Sequence, residues 1–184
     1  MKAIFPLLAL LLLVAPAVAQ DHGPFTPSSV DVWFSPKGGC TDACVATIDG
    51  AKKTIFVQAY SFTSPPIAQA LVRAKNRGVS VQIILDKGQM TEKYTEADTV
   101  ALAGISTFID KKHAIAHNKV MIIDGAEVIT GSFNFTRGAE DSNAENMLIL
   151  KGKKLAGRYI ENWLVHLRHS DIFVPTPAPV PTPP

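Results

Sequence analysis

The run Lys119 to Ile123, Lys-Val-Met-Ile-Ile, constrains this chain more than any other feature. It is strand-length, nearly continuous apolar sequence, followed by Asp124 and Gly125. That pattern describes a strand covered on both faces, which requires helices on both sides of its sheet. The rest of the chain supplies them. Val30 to Phe34, Thr54 to Phe62, Val79 to Leu85, Ile105 to Ile109, Glu127 to Thr130 and Ala144 to Leu150 read as further strands. Between them, Val45, Ile48 and Lys52 follow helical spacing, with Thr41 or Asp42 as the expected cap. Ser64-Pro65-Pro66 opens a second helix, with Ile67, Leu71 and Ala74 on one face and Gly78 at its end. Glu96 to Ala103 predicts a third helix, closed by Gly104. Leu155, Ala156, Tyr159, Ile160, Trp163, Leu164 and Leu167 form the apolar stripe of a last one. The expected class is α/β: a mixed, mostly parallel β-sheet flanked by helices on both faces. No internal repeat is visible.

Residues 1–19 read as a signal peptide. Lys2 provides a positive start, Leu7 to Val14 an apolar centre, and Ala17-Val18-Ala19 a small-x-small cleavage pattern. A membrane-spanning helix needs about 20 apolar residues, more than this run supplies. The expected location is therefore periplasmic or secreted, without stable membrane association after cleavage. Residues 20–29 form a lead-in, 30–172 one catalytic-sized domain, and 173–184 a Pro-rich tail that cannot pack a core. Charge is nearly balanced, with 18 basic and 16 acidic residues, so overall charge does not announce a nucleic-acid binder. Export permits a disulfide between Cys40 and Cys44, but a spacing of four within one helix would strain it. The pairing stays open.

Chemistry concentrates in one block: His117-Asn118-Lys119, Asp124, Gly131-Ser132-Phe133-Asn134 and Glu145-Asn146. On extended chain His117 and Lys119 point to the same side. An imidazole beside an ammonium, with no adjacent carboxylate, suits an anion such as phosphate. Ser132 and Asn134 offer neutral donors for phosphate oxygens. The odd spacing of Asp124 from His117 favours an orienting role. Glu145, in an apolar strand, needs a partner. His113 stands four before His117, a metal-ligand spacing on a helix, but a loop-like stretch intervenes. His166 and His169 read as solvated or as complementing a helix terminus. No cofactor and no metal site is expected.

The pattern His117-x-Lys119-x4-Asp124, then Gly131-Ser132-x-Asn134, resembles the signature of the phospholipase D superfamily. Tyr60-Ser61-Phe62-Thr63, Ala68 to Leu85, Asp86 and Gly131 to Thr136 look like the small bacterial, exported endonucleases within it. The resemblance runs from about Val30 to Arg168. It implies a catalytic set of His117, Lys119, Asp124 and Glu145. His117 would be the nucleophile that forms a phosphohistidine, and a second motif histidine would protonate the leaving oxygen. Lys119, Ser132 and Asn134 would hold phosphoryl oxygens. Glu145 would hold the other ring nitrogen of His117, and Asp124 would support the motif.

Only one such motif is present, so the resemblance implies a homodimer with a shared active site. The expected activity is metal-independent hydrolysis of DNA or RNA by a sequence-nonspecific endonuclease. The alternatives are a lipid phosphodiesterase and a non-catalytic nucleic-acid-binding protein on the same fold. Lys111, Lys112, Lys119, Arg137, Lys151, Lys153 and Lys154 are expected to line a groove for a phosphate backbone.

Overall fold

The computed structural model describes residues 24–175. The expected signal peptide lies outside them, as does all but the start of the Pro-rich tail.

A single eight-stranded sheet runs in the order β1-β7-β6-β5-β2-β3-β4-β8. The central strands are β2 (Thr54–Ala59), β3 (Ser80–Asp86), β4 (Ser106–Asp110) and β5 (Lys119–Ile123). On one side β6 (Glu127–Gly131), β7 (Glu145–Lys151) and β1 (Ser29–Ser35) extend it, and β8 (Asp171–Ile172) closes the other edge. Every residue of β5 is buried, as its apolar run demanded.

The α/β class and the mixed sheet stand, but the expected dominance of parallel pairing does not. Between strands, parallel pairing occurs at β2–β3 and β3–β4, where a helix returns the chain, with one isolated parallel bridge from Phe62 to Phe135. All other junctions are antiparallel. Between β5 and β6 the reason is connection length: they are joined by a tight turn at Asp124 and Gly125, both with positive φ. Parallel strands need a crossover of about a dozen residues or more.

Four helices cover one face: α1 (Cys40–Gly50), α2 (Pro65–Asn76), α3 (Ala97–Leu102) and the short α4 (Arg137–Asp141). Their core includes Ile48, Leu71, Ile83, Met121, Phe133 and Phe135. The long α5 (Lys153–Leu167) covers the other face alone. Its stripe packs on Ile84, Val120, Ile122 and Val128, and Trp163 is buried while its indole N–H donates to the Val57 carbonyl at 2.9 Å. Leu164 is the stripe residue left exposed.

The cap of α1 differs from expectation. Gly39, not Thr41 or Asp42, is its N-cap, with φ 82°. The first amides are satisfied from about a hundred residues away. Glu140 of α4 accepts from Gly39 N at 3.0 Å and Thr41 N at 2.7 Å, placing negative charge where helix amides and dipole favour it. Cys40 and Cys44 are free, buried thiols. Burial, with Glu140 next in effect, pushes the Cys40 thiol up to about 11. Cys44 instead meets Met147 across the core, Sγ to Sδ 3.3 Å.

Candidate active site

The antiparallel pairing of β2 with β5 sets Ala59 opposite Lys119, so the end of β2 meets the start of β5. There the Tyr60 amide donates to the Asn118 carbonyl at 2.9 Å. The Tyr60 ring lies against His117, ring centres 4.5 Å apart, with Lys119 Nζ 5.1 Å from the ring centre. His117 is exposed, whereas Lys119 is only 7% exposed. Its ammonium donates to the His117 carbonyl at 2.8 Å, and both residues lie on this rim of the sheet. No carboxylate lies within ion-pairing distance of Lys119 among the described residues. Burial lowers its pKa below the usual lysine range, and the charge of Glu145 partly opposes that shift.

The end of β6 brings the neutral donors to the same rim. Gly131 has φ 150°, and a Cβ there would lie 2.3 Å from the Asn146 carbonyl oxygen. Only glycine lets the chain pass this close and turn. Beyond it, Ser132 Oγ accepts from Asn146 N at 3.0 Å and Nδ2 at 3.3 Å. The side-chain oxygen of Asn134 is buried without a hydrogen-bond partner among the described residues. Buried polar groups are rarely left so, and those that are call for an explanation.

Glu145 opens β7 on this rim, but its expected hydrogen bond to His117 is absent within the chain. Its carboxylate accepts from Asn143 Nδ2 at 3.2 Å and acts on Lys119 through its charge alone. Asp124 is not in the site. It ends β5 on the opposite rim, where its carboxylate accepts from the amides of Lys52, Lys53 and Thr54 at 2.9, 2.7 and 2.9 Å. A five-residue strand separates it from His117, so its contribution is to the scaffold.

The supposed basic groove also divides. Lys111, Lys112 and Arg137 follow β4 and the β6 turn on the site rim. Lys151, Lys153 and Lys154 stand near Asp124 on the far rim, where the Gly152 amide donates to Ala126. Several are already paired: Lys111 with Asp171, Arg137 with Asp141, Lys151 with Glu127. Lys87, unremarked in sequence, also works at the site, donating to the His113 carbonyl at 3.0 Å. Buried Asp86 accepts from the Ala116 amide at 2.7 Å. Together they hold the loop that delivers His117. Tyr60 had no assigned role in the sequence reading, since a tyrosine after a strand carries no local signal for stacking on a histidine more than fifty residues later.

Comparison with known proteins decides the family. Residues 44–165 match the family described as "Cardiolipin synthase, PLD-like domain". The chain belongs to the phospholipase D superfamily. It is 44% identical over 137 residues to a phospholipase D of Rickettsia felis, covering 74% of this chain and 68% of that one. Among solved structures it resembles Nuc of Salmonella typhimurium, a phospholipase D family member, at TM-score 0.76 and 40% identity. That match covers 79% of this chain and 97% of Nuc. NucT of Helicobacter pylori shares the fold at TM-score 0.73 and 22% identity, covering 79% and 99%. As a member of the superfamily the chain is a phosphodiesterase, with an α/β fold matching that of Nuc.

Proposed function

We propose that this phosphodiesterase is an exported, metal-independent endonuclease that works as a homodimer through a phosphohistidine. The observation that carries the reading is the pairing of exposed His117 with buried, carboxylate-free Lys119. An ammonium held in this way is stabilised by an incoming phosphoryl group, and more so as charge develops on it. In the proposed course, a His117 ring nitrogen attacks phosphorus and the P–O bond to the leaving group breaks. His117 of the partner subunit gives its proton to the departing oxygen. Water then attacks phosphorus and gives a proton to His117 of the partner subunit, and the P–N bond breaks to return the first histidine. Ser132 and Asn134 contact the non-reacting oxygens, Tyr60 sets the His117 ring, and the charge of Glu145 offsets part of the effect of burial on Lys119.

Two further features support a second copy. The Asn134 oxygen lacks a partner among the described residues of one chain. Val30, Val32 and Phe34 leave an exposed apolar stripe on edge strand β1, with Phe34 paired to Asn146 beside the site. The names of Nuc and NucT and the cationic residues on the rim favour nucleic acid as substrate. The phospholipase D name of the Rickettsia relative favours a lipid phosphodiester, the second reading. Incubating purified protein with plasmid, RNA and phosphatidylcholine, each with and without EDTA, separates the two. Cleavage of nucleic acid that survives EDTA is expected. Hydrolysis of the lipid alone would replace the nuclease reading with the second one.

A further inference from the structure

Away from His117, the fold gathers three imidazoles around one carboxylate. Asp110, the last residue of β4, has a side chain with no solvent exposure. Its Oδ2 lies 2.8 Å from His113 Nδ1, 2.8 Å from His166 Nδ1 and 3.3 Å from His169 Nε2. The ring centres stand 4.9 to 5.4 Å apart, leaving no room for another side chain between them. The other carboxylate oxygen accepts from the Lys112 and His113 amides at 3.0 and 3.4 Å, which fixes the carboxylate's orientation. His113 therefore turns towards Asp110 and not towards His117. His166 and His169 are three-quarters or more shielded in place of being solvated.

Hydrogen bonding alone does not account well for this arrangement. A carboxylate oxygen offers about two lone-pair sites, and three imidazoles converge on one. A shared cation does account for it. One ligand atom from each of the four residues lies within 4.8 Å of the others. In a tetrahedral zinc site with bonds of about 2.0–2.2 Å, ligand atoms stand roughly 3.3–3.6 Å apart. The 3.3 Å distance from Asp110 to His169 already matches that edge, the two at 2.8 Å must open by about 0.5–0.8 Å, and the widest separation, at most 4.8 Å, must close by about 1–1.5 Å.

We propose that Asp110, His113, His166 and His169 form a zinc-class divalent metal site separate from the catalytic histidine. Four protein ligands close the coordination sphere, so the metal is structural and takes no part in hydrolysis. Its work is mechanical. It ties the end of α5 to the end of β4 and to the loop that runs from His113 to His117. Three neutral imidazoles and one carboxylate leave a bound divalent cation with net positive charge on the rim that faces substrate.

The test uses the full mature protein, stripped with chelator and titrated with Zn2+ against a chromophoric competitor, alongside thermal unfolding. One zinc per chain is expected, with a rise in Tm of roughly 5 °C or more at saturating metal. His113→Gln, at the exposed margin of the cluster, and His169→Gln should each weaken binding by about tenfold or more. His117→Ala should bind zinc as wild type does. Should a variant fail to fold, X-ray absorption on wild-type protein gives the answer, with three nitrogen-imidazole ligands and one oxygen expected. No tight zinc binding by wild type, binding unchanged in both His variants, or binding lost in His117→Ala would each overturn the site.

Discussion

The residues of the site divide by what surrounds them. His117 is exposed and contributes nothing to the core, so His117→Ala should leave thermal unfolding unchanged while turnover disappears. Full turnover in a folded His117→Ala protein would remove it as nucleophile. Lys119→Ala should slow hydrolysis by about 10²- to 10³-fold, the scale for losing one group that stabilises transition-state charge. Asp124 makes a contrasting prediction, because it belongs to the scaffold. Desolvation raises its pKa, but the amides of Thr54, Lys52 and Lys53 outweigh it and lower the carboxylate below its usual range. A depressed folded-state pKa stabilises the protein above the unfolded value, about 3.9, and the stabilisation disappears as pH falls through the folded value. Asp124→Asn should therefore be less stable than wild type at pH 7, with the gap closing below about pH 4. Urea unfolding at several pH values measures this, and a gap that stayed constant with pH would contradict it.

At the scale of elements, the structure is held by contacts made far along the chain. Helix α1 begins at a glycine that offers no side-chain cap, and Glu140 supplies the acceptors for its first amides. Glu140→Ala should cost about 1–2 kcal/mol, a fall of a few degrees in Tm. Glu140→Gln should recover part of it, since an amide oxygen still accepts. The turn after β6 carries a sharper expectation. Gly131→Ala places a methyl group against the Asn146 carbonyl, and the turn must shift to relieve it. Ser132 and Asn134 move with the turn, so the rate should fall more than the stability does. Equal turnover in Gly131→Ala would mean that these donors are not positioned by it.

For the whole molecule, the question is how many chains make one site. A shared site predicts that mixing wild type with His117→Ala lowers activity faster than the wild-type fraction falls, once subunit exchange is confirmed. A strictly proportional fall would mean each chain works alone, as would a monomer in sedimentation at active concentrations. Two metal-related outcomes should separate cleanly. EDTA should lower Tm by emptying the Asp110 cluster yet leave turnover intact at temperatures where the apo-protein stays folded. Activity that vanished there and returned with magnesium would defeat the metal-independent mechanism.

What was legible from sequence was whatever depends on neighbours in the chain. The buried run of β5, the stripe of α5, the start of α2 at Ser64-Pro65 and the spacing of His117 to Lys119 all follow from local pattern, because period and propensity are local quantities. The His117 motif together with Gly131, Ser132 and Asn134 was enough to point to the family. Strand direction was not legible for the whole sheet, since the connection from β6 to β7 carries α4 and is long enough for either direction, so packing decides it. Nor was the division between rims, which placed Asp124 and Lys151 to Lys154 opposite His117 once β5, β6 and β7 alternated direction. The Asp110 cluster was hidden most completely. Its histidines come from a loop and from a helix end more than fifty residues apart, and no sequence period links them. Only the packing of α5 across the sheet, with its last turn against the end of β4, brings them to one carboxylate.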